Sequence, residues 1–179
     1  VLSLQTDPDH LPVDVGQYAS YDTAGCTTYM LDAGFLGATE VDLDFNVNVN
    51  SHSDGKVLHG IGGHQDVSAG ANMTVITVPT MRGRLPVIMD KVTTVTTPGE
   101  VVDVIVTERG VAVNPRREDL KDRFIHAGLP VKTLEQMKAE CEKLTKPAGK
   151  PVFDDEFVVL IEWRDGTIID AARRVIGWE

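Results

Sequence analysis

The sequence predicts an α/β domain built on a mixed, mostly parallel sheet with flanking helices, and three observations predict it. Apolar runs rich in β-branched residues recur at Met73 to Val78, Val101 to Val106 and Val111 to Val113, the pattern of buried strands. Helix-start signals concentrate in the last third, at Asn114-Pro115 and Thr133-Leu134-Glu135-Gln136. Gly60-Ile61-Gly62-Gly63-His64-Gln65-Asp66 has the composition of a strand-to-helix loop, since its three glycines let the backbone turn sharply.

Taken in order, residues 1–30 read as irregular after a short strand-like start, with turn residues at Asp7-Pro8-Asp9 and Thr23-Ala24-Gly25. From Phe35 to Val49 the pattern is strand-like, and Phe45, Val47 and Val49 alternate with Asn46, Asn48 and Asn50. Ser53-Asp54-Gly55 is a turn, and Lys56 to His59 returns as a short strand into the glycine loop. Val67 to Ala71 continues as a helix, and Val92 to Val95 is a further strand. Asn114 as N-cap and Pro115 at the first helical position start a helix that runs to about His126 and ends at Gly128. The box at Thr133 opens a second helix to about Leu144. A Pro/Gly linker at 146–150 leads to a terminal hairpin, Phe157 to Trp163 and Thr167 to Asp170, turned by Asp165-Gly166.

At 179 residues and 42% hydrophobic, the chain is one domain with enough apolar content to fill a core. A formal charge of −10 repels nucleic acid. No apolar run approaches the ~20 residues of a membrane span. Cys26 and Cys141 stand far apart without a CxxC, which fits reduced thiols in a cytoplasm, and no secretion signal is visible. The chain opens on Val1 rather than Met, which points to a fragment or a processed form.

The backbone amides of Gly60, Gly62 and Gly63 suit a phosphate, a carboxylate or a developing oxyanion. Asp66 is either an N-cap or an acid–base group. Glu40 and Asp42 share one face of a strand, as an acid–base pair or as solvated charges at its end. Asn46 and Asn48 either line a cleft or form a solvated outer face. Arg82 and Arg84 either grip a carboxylate or phosphate bidentately or make structural ion pairs. His59 and His64 lack the further ligands a metal needs, so no metal is expected.

Several blocks together resemble the α chains of citrate lyase: Gly37-Ala38-Thr39-Glu40-Val41-Asp42, Phe45-Asn46-Val47-Asn48-Val49, Gly62-Gly63-His64-Gln65-Asp66, Arg82-Gly83-Arg84-Leu85-Pro86, Thr97-Pro98-Gly99 and Gly110-Val111-Ala112-Val113-Asn114-Pro115. The resemblance runs in order over about residues 15–175. It implies a CoA-transferase-like domain, of the type shared with sugar-phosphate isomerases, that forms the C-terminal part of a two-domain chain with its site between the domains. It also implies citrate CoA-transferase activity, exchanging the acetyl thioester of CoA, or of the CoA-like prosthetic group of an acyl carrier protein, for a citryl thioester. The implied partners are the β (lyase) and γ (acyl carrier) chains and further copies of the chain itself, in the cytoplasm.

Covalently working relatives carry a glutamate upstream of the Glu-Val-Asp strand, and no glutamate precedes Glu40 here. The citrate lyase type works instead through a ternary complex and a mixed anhydride. On this reading Gly62 and Gly63 stabilise the oxyanion, His64 polarises a carboxylate or carbonyl, and Glu40 supplies a carboxyl group. Gly60, Arg82, Arg84, Asn46 and Asn48 then bind substrate. The alternative is a non-catalytic ligand-binding or assembly module of the same fold.

Overall fold

The computed structural model describes residues 2–146 and 149–179; Pro147 and Ala148 of the expected linker, and Val1, lie outside the described residues. The N-terminal segment forms helices α1 (Leu2–Thr6) and α2 (Val15–Ala19) and a 3₁₀ turn (Thr27–Met30), where strand-like and irregular structure was expected. Asp14 starts α2 by accepting the Gly16 N–H.

The main sheet joins β1 (Gly34–Gly37), β4 (Thr74–Thr77), β8 (Val104–Thr107) and β9 (Gly110–Val113) in the order β1-β4-β8-β9. The first three strands are parallel and β9 is antiparallel, so the mixed character holds. A smaller sheet, β3-β2-β7, combines β2 (Glu40–Asp42) with β3 (Val47–Asn48) and β7 (Ile88–Met89). A two-stranded hairpin, β5 (Met81–Arg82) and β6 (Leu85–Pro86), turns at Gly83. The core runs through both sheets, with Val41, Val47, Ile76, Val87, Ile88, Ile105 and Met137 packed together.

Helix α3 (His64–Gly70) follows the glycine loop as expected. Helix α4 (Glu118–His126) starts later than Asn114-Pro115 predicts: the Asn114 side-chain oxygen accepts the Arg116 N–H in a turn ahead of the helix, while its amide donates to the Gly99 and Val102 carbonyls. It closes in a Schellman motif, with Gly128 and Leu129 N–H groups returning to Ile125 and Phe124. Helix α5 (Leu134–Glu142) opens on the expected capping box between Thr133 and Gln136. Strands β10 (Pro151–Glu162) and β11 (Ile168–Trp178) form a hairpin longer than expected at both ends.

Val92 to Val95 is not a strand. The Val92 N–H goes to Asp42 Oδ2 and the Val95 N–H to Asp170 Oδ2, so neither joins a ladder. Lys56 to His59 contributes only an isolated bridge, Ser51 to Val57. No helix among the described residues is long and apolar enough to cross a membrane.

Candidate functional site at the carboxyl end of β1

Ligands of parallel α/β sheets bind beyond the carboxyl ends of the strands, and here those ends gather the predicted residues. Strand β1 ends at Gly37, and the chain passes through Ala38 and Thr39 into Glu40 at the start of β2. The Gly37 carbonyl accepts from His64 Nε2 at 3.0 Å, and the Ala38 carbonyl accepts from Arg82 Nη2 at 3.1 Å. Two neighbouring carbonyls therefore hold the glycine-loop helix on one side and the β5–β6 hairpin on the other. Gly60–Gly63, Arg82 and Glu40 are brought to one end of β1.

In the glycine loop Gly62 adopts φ 60, the left-handed region that favours glycine. A Cβ added at Gly60, Gly62 or Gly63 would meet nothing within 4 Å, so the loop backbone borders open space. Among the described residues the Gly62 and Gly63 amides donate no hydrogen bond within the chain. They are available to an anionic oxygen.

His64 is spent on structure. It is buried, and since the Gly37 carbonyl can only accept, Nε2 carries the proton and Nδ1 accepts from the Thr97 hydroxyl at 2.8 Å. Burial also holds its pKa below the usual value. With both ring nitrogens committed, His64 pins the loop and has no nitrogen left for a substrate carboxylate. Asp66 is not an N-cap: Gly63 holds that position, and Asp66 Oδ1 accepts from Arg164 Nε at 2.8 Å. The terminal hairpin thereby clamps α3, helped by Gln65 Nε2 donating to the Glu162 carbonyl.

The asparagine face expected to line a cleft or meet solvent is turned into the protein. Phe45 sits at φ 66 in a turn, leaving only Val47–Asn48 as strand, and both faces of that strand are buried. Asn48 donates to Ser51 Oγ and accepts the Asn50 and Ser51 N–H groups. Asn46 bonds Asp42 Oδ2 and accepts the Gly99 N–H. These amides organise turns.

The two carboxylates of β2 are both buried, in opposite circumstances. Asp42 accepts from the Asp44, Asn46 and Val92 N–H groups and from the Asn46 amide, so its oxygens are satisfied. Glu40 Oε1 accepts the Ser53 N–H, and Oε2 has no partner among the described residues. Burial pushes the Glu40 pKa up to about 7, against the pull of the Ser53 and Asn48 hydrogen bonds. A carboxyl titrating there can hold or release a proton at neutral pH.

Arg82 and Arg84 are exposed and have no ion-pair partner among the described residues, so the structural ion-pair alternative does not hold. Their charge in a chain of −10 attracts a carboxylate or phosphate. Guanidinium groups without an ion pair, and open amides, suit anionic groups of a ligand. His59 is exposed, with Nδ1 at 3.0 Å from the Gly60 carbonyl, and no metal-holding group of side chains occurs among the described residues.

Sequence reasoning overlooked His52 and Thr97. His52 lies in the turn that folds back over Glu40, with Nδ1 3.3 Å from Glu40 Oε1. Only the register, Glu40 opposite Asn48, puts that turn there, and no local motif announces it.

Residues 1–175 match the family described as citrate lyase, alpha subunit (CitF). The citrate lyase alpha chain of Klebsiella pneumoniae is 44% identical over 176 residues, covering 97% of this chain and 34% of the relative. That of Haemophilus influenzae is 41% identical, covering 97% and 35%. A crystal structure assigned to the alpha subunit of citrate lyase from Streptococcus mutans, in complex with citrate, superposes with a TM-score of 0.93 at 41% identity, covering 98% of this chain and 35% of that one. The chain thus spans about a third of the length of these relatives. With its sheets, glycine loop and arginine hairpin in that setting, this chain belongs to the citrate lyase alpha subunit family.

Proposed function

We propose that the carboxyl end of β1 is the acyl-exchange site of a citrate CoA-transferase, which converts an acetyl thioester and citrate into a citryl thioester and acetate. The observation that carries the reading is the pair of neighbouring carbonyls, Gly37 and Ala38, that hold the glycine-loop helix and Arg82 beside the end of β1. The citrate named with the Streptococcus mutans relative supports the choice of acceptor.

In this reading Arg82 and Arg84 draw citrate in by its carboxylates. One carboxylate attacks the acetyl thioester carbonyl, and the Gly62 and Gly63 amides receive the negative charge that develops on the carbonyl oxygen. The C–S bond breaks to give a thiolate and a mixed anhydride. The thiolate then attacks the citryl carbonyl of that anhydride, and acetate leaves. Glu40 provides a carboxyl group that is part protonated near neutrality, able to hydrogen-bond the acceptor. His64, Asn46 and Asn48 position these groups. A second domain across the cleft, β and γ partner chains, self-association and a cytoplasmic setting belong to the same proposal.

Ligand-dependent thermal stability tests it. A ligand at about 100 times its Kd adds about 2.7 kcal/mol to the folded state. Citrate and acetyl-CoA are expected each to raise the melting temperature of the intact protein, with sugar phosphates without effect. A shift with sugar phosphates and none with citrate contradicts the transferase reading and supports the ligand-binding alternative.

A further inference from the structure

Glu40 and His52 are buried side by side, and each keeps one polar atom without a partner among the described residues, Oε2 and Nε2. Few such orphans survive in folded proteins, because each costs about 1–3 kcal/mol of desolvation. The local fold explains why they meet. Strand β2 pairs antiparallel with β3, setting Glu40 opposite Asn48. The Asn48 side chain then captures the Asn50 and Ser51 N–H groups, which turns the chain back so that Ser53 N–H reaches Glu40 Oε1. His52, one residue earlier, is carried into contact: Nδ1 lies 3.2 Å from Ser53 Oγ and 3.3 Å from Glu40 Oε1.

We propose that His52 is a positioning residue for Glu40, the two forming one buried acid–base pair in which the imidazole Nδ1 faces the carboxyl and sets how readily it gives up its proton to a bound acceptor. This rests on the transferase reading for its use, though not for its existence. With Nδ1–H directed at the Ser53 hydroxyl and the carboxyl, the imidazole favours the ionised carboxyl, and Nε2 is left as an acceptor. The charges around the pair are Asp54 and Lys56 from the same turn and Arg82 from β5. Burial, with Arg82 and Lys56 beside it, lowers the His52 pKa against the opposing effect of Asp54. The pair therefore gains or loses its proton chiefly at Glu40.

The test compares His52→Leu, which removes the donor, with His52→Gln, which retains one, in the intact protein. Two readouts are followed: the Glu40 carboxyl titration by carbon-13 NMR, and the pH profile of thioester exchange. In His52→Leu the Glu40 titration is expected to move up by about one pH unit, within the range that neighbouring groups impose. His52→Gln should stay close to wild type. The exchange profile should shift by the same amount as the titration. By linkage the His52 titration also moves in Glu40→Gln, which serves if His52→Leu does not fold. An unmoved Glu40 titration in His52→Leu, or an unmoved His52 titration in Glu40→Gln, overturns the pair. A titration that moves while the exchange profile stays fixed leaves the pair standing and removes Glu40 from the transfer reaction.

Discussion

Gly99→Ala is expected to destabilise the protein by about 3 kcal/mol or more, the upper end of what overpacking costs. A Cβ at this position would lie 2.0 Å from the Asp44 carbonyl oxygen and 2.9 Å from the Phe45 carbonyl carbon, both backbone atoms. Neither strand of chain can yield easily. The Gly99 N–H is bound to Asn46 Oδ1 and its carbonyl to the Asn114 amide, while Phe45 already occupies a left-handed conformation. For a chain of this size about 3 kcal/mol corresponds to roughly 6–12 °C in melting temperature. Calorimetry checks it, and a loss below about 1 kcal/mol would mean that the two loops are not pressed together as described. The consequence reaches the site, because Thr97, two residues earlier, holds His64 and through it the glycine loop.

Glu40→Gln is expected to remove a contribution to stability that the wild-type protein loses as pH rises. Unfolded, Glu40 ionises near its ordinary value of 4.5; folded, burial holds the proton until about 7. Between those values the folded state binds the extra proton, so unfolding free energy declines with rising pH. The loss levels off above the folded value at about 3 kcal/mol. His52 and His64 slope the other way. Burial lowers both pKa values, so the unfolded chain takes up their protons first, and stability falls as pH drops below the ordinary histidine value. Urea unfolding at about pH 5.5 and about pH 8 separates the terms. Glu40→Gln keeps both histidines and lacks only the Glu40 term, so its stability should rise relative to the wild type by about 2 kcal/mol between those two pH values. An equal difference in the two proteins would place the ionised carboxylate in a solvated setting.

Features written in a few neighbouring residues were legible in the sequence. The capping box at Thr133, the Asp165-Gly166 turn, the glycine loop ahead of α3 and the buried strands β4 and β9 all appear where local chemistry put them. Strand β8 begins only at Val104, because Gly99–Val101 forms a 3₁₀ turn where a strand from Val101 was expected. Misreadings arose where a distant group decided the outcome. Val92 and Val95 have strand composition, yet their amides go to carboxylates 50 and 75 residues away in sequence. The Asn46-Asn48 alternation has the form of a half-solvated strand, but the hairpin β2–β3 is covered on both faces, so the amides serve turns. Asp66 has the composition of a helix start and is instead claimed by Arg164, 98 residues on. Glu40 was legible as a carboxylate of interest, whereas its isolation and its neighbour His52 depend on strand register. Patterning along a chain does not carry register between strands of different sequence.

The central claim is that the open amides of the glycine loop receive the charge formed during acyl exchange, and Gly63→Val measures it most directly. The added side chain enters open space and Gly63 has φ −86, so the fold should accept valine, with circular dichroism and melting temperature little changed. The side chain would occupy the space through which a carbonyl oxygen must approach the Gly62 and Gly63 amides. Loss of such a donor costs about 10²–10³-fold in rate. The intact protein, wild type and variant, is incubated with an acetyl thioester and citrate, and citryl thioester is followed by mass spectrometry. A folded variant whose exchange rate falls by about 100-fold or more supports the account. A folded Gly63→Val that exchanges at the wild-type rate contradicts it.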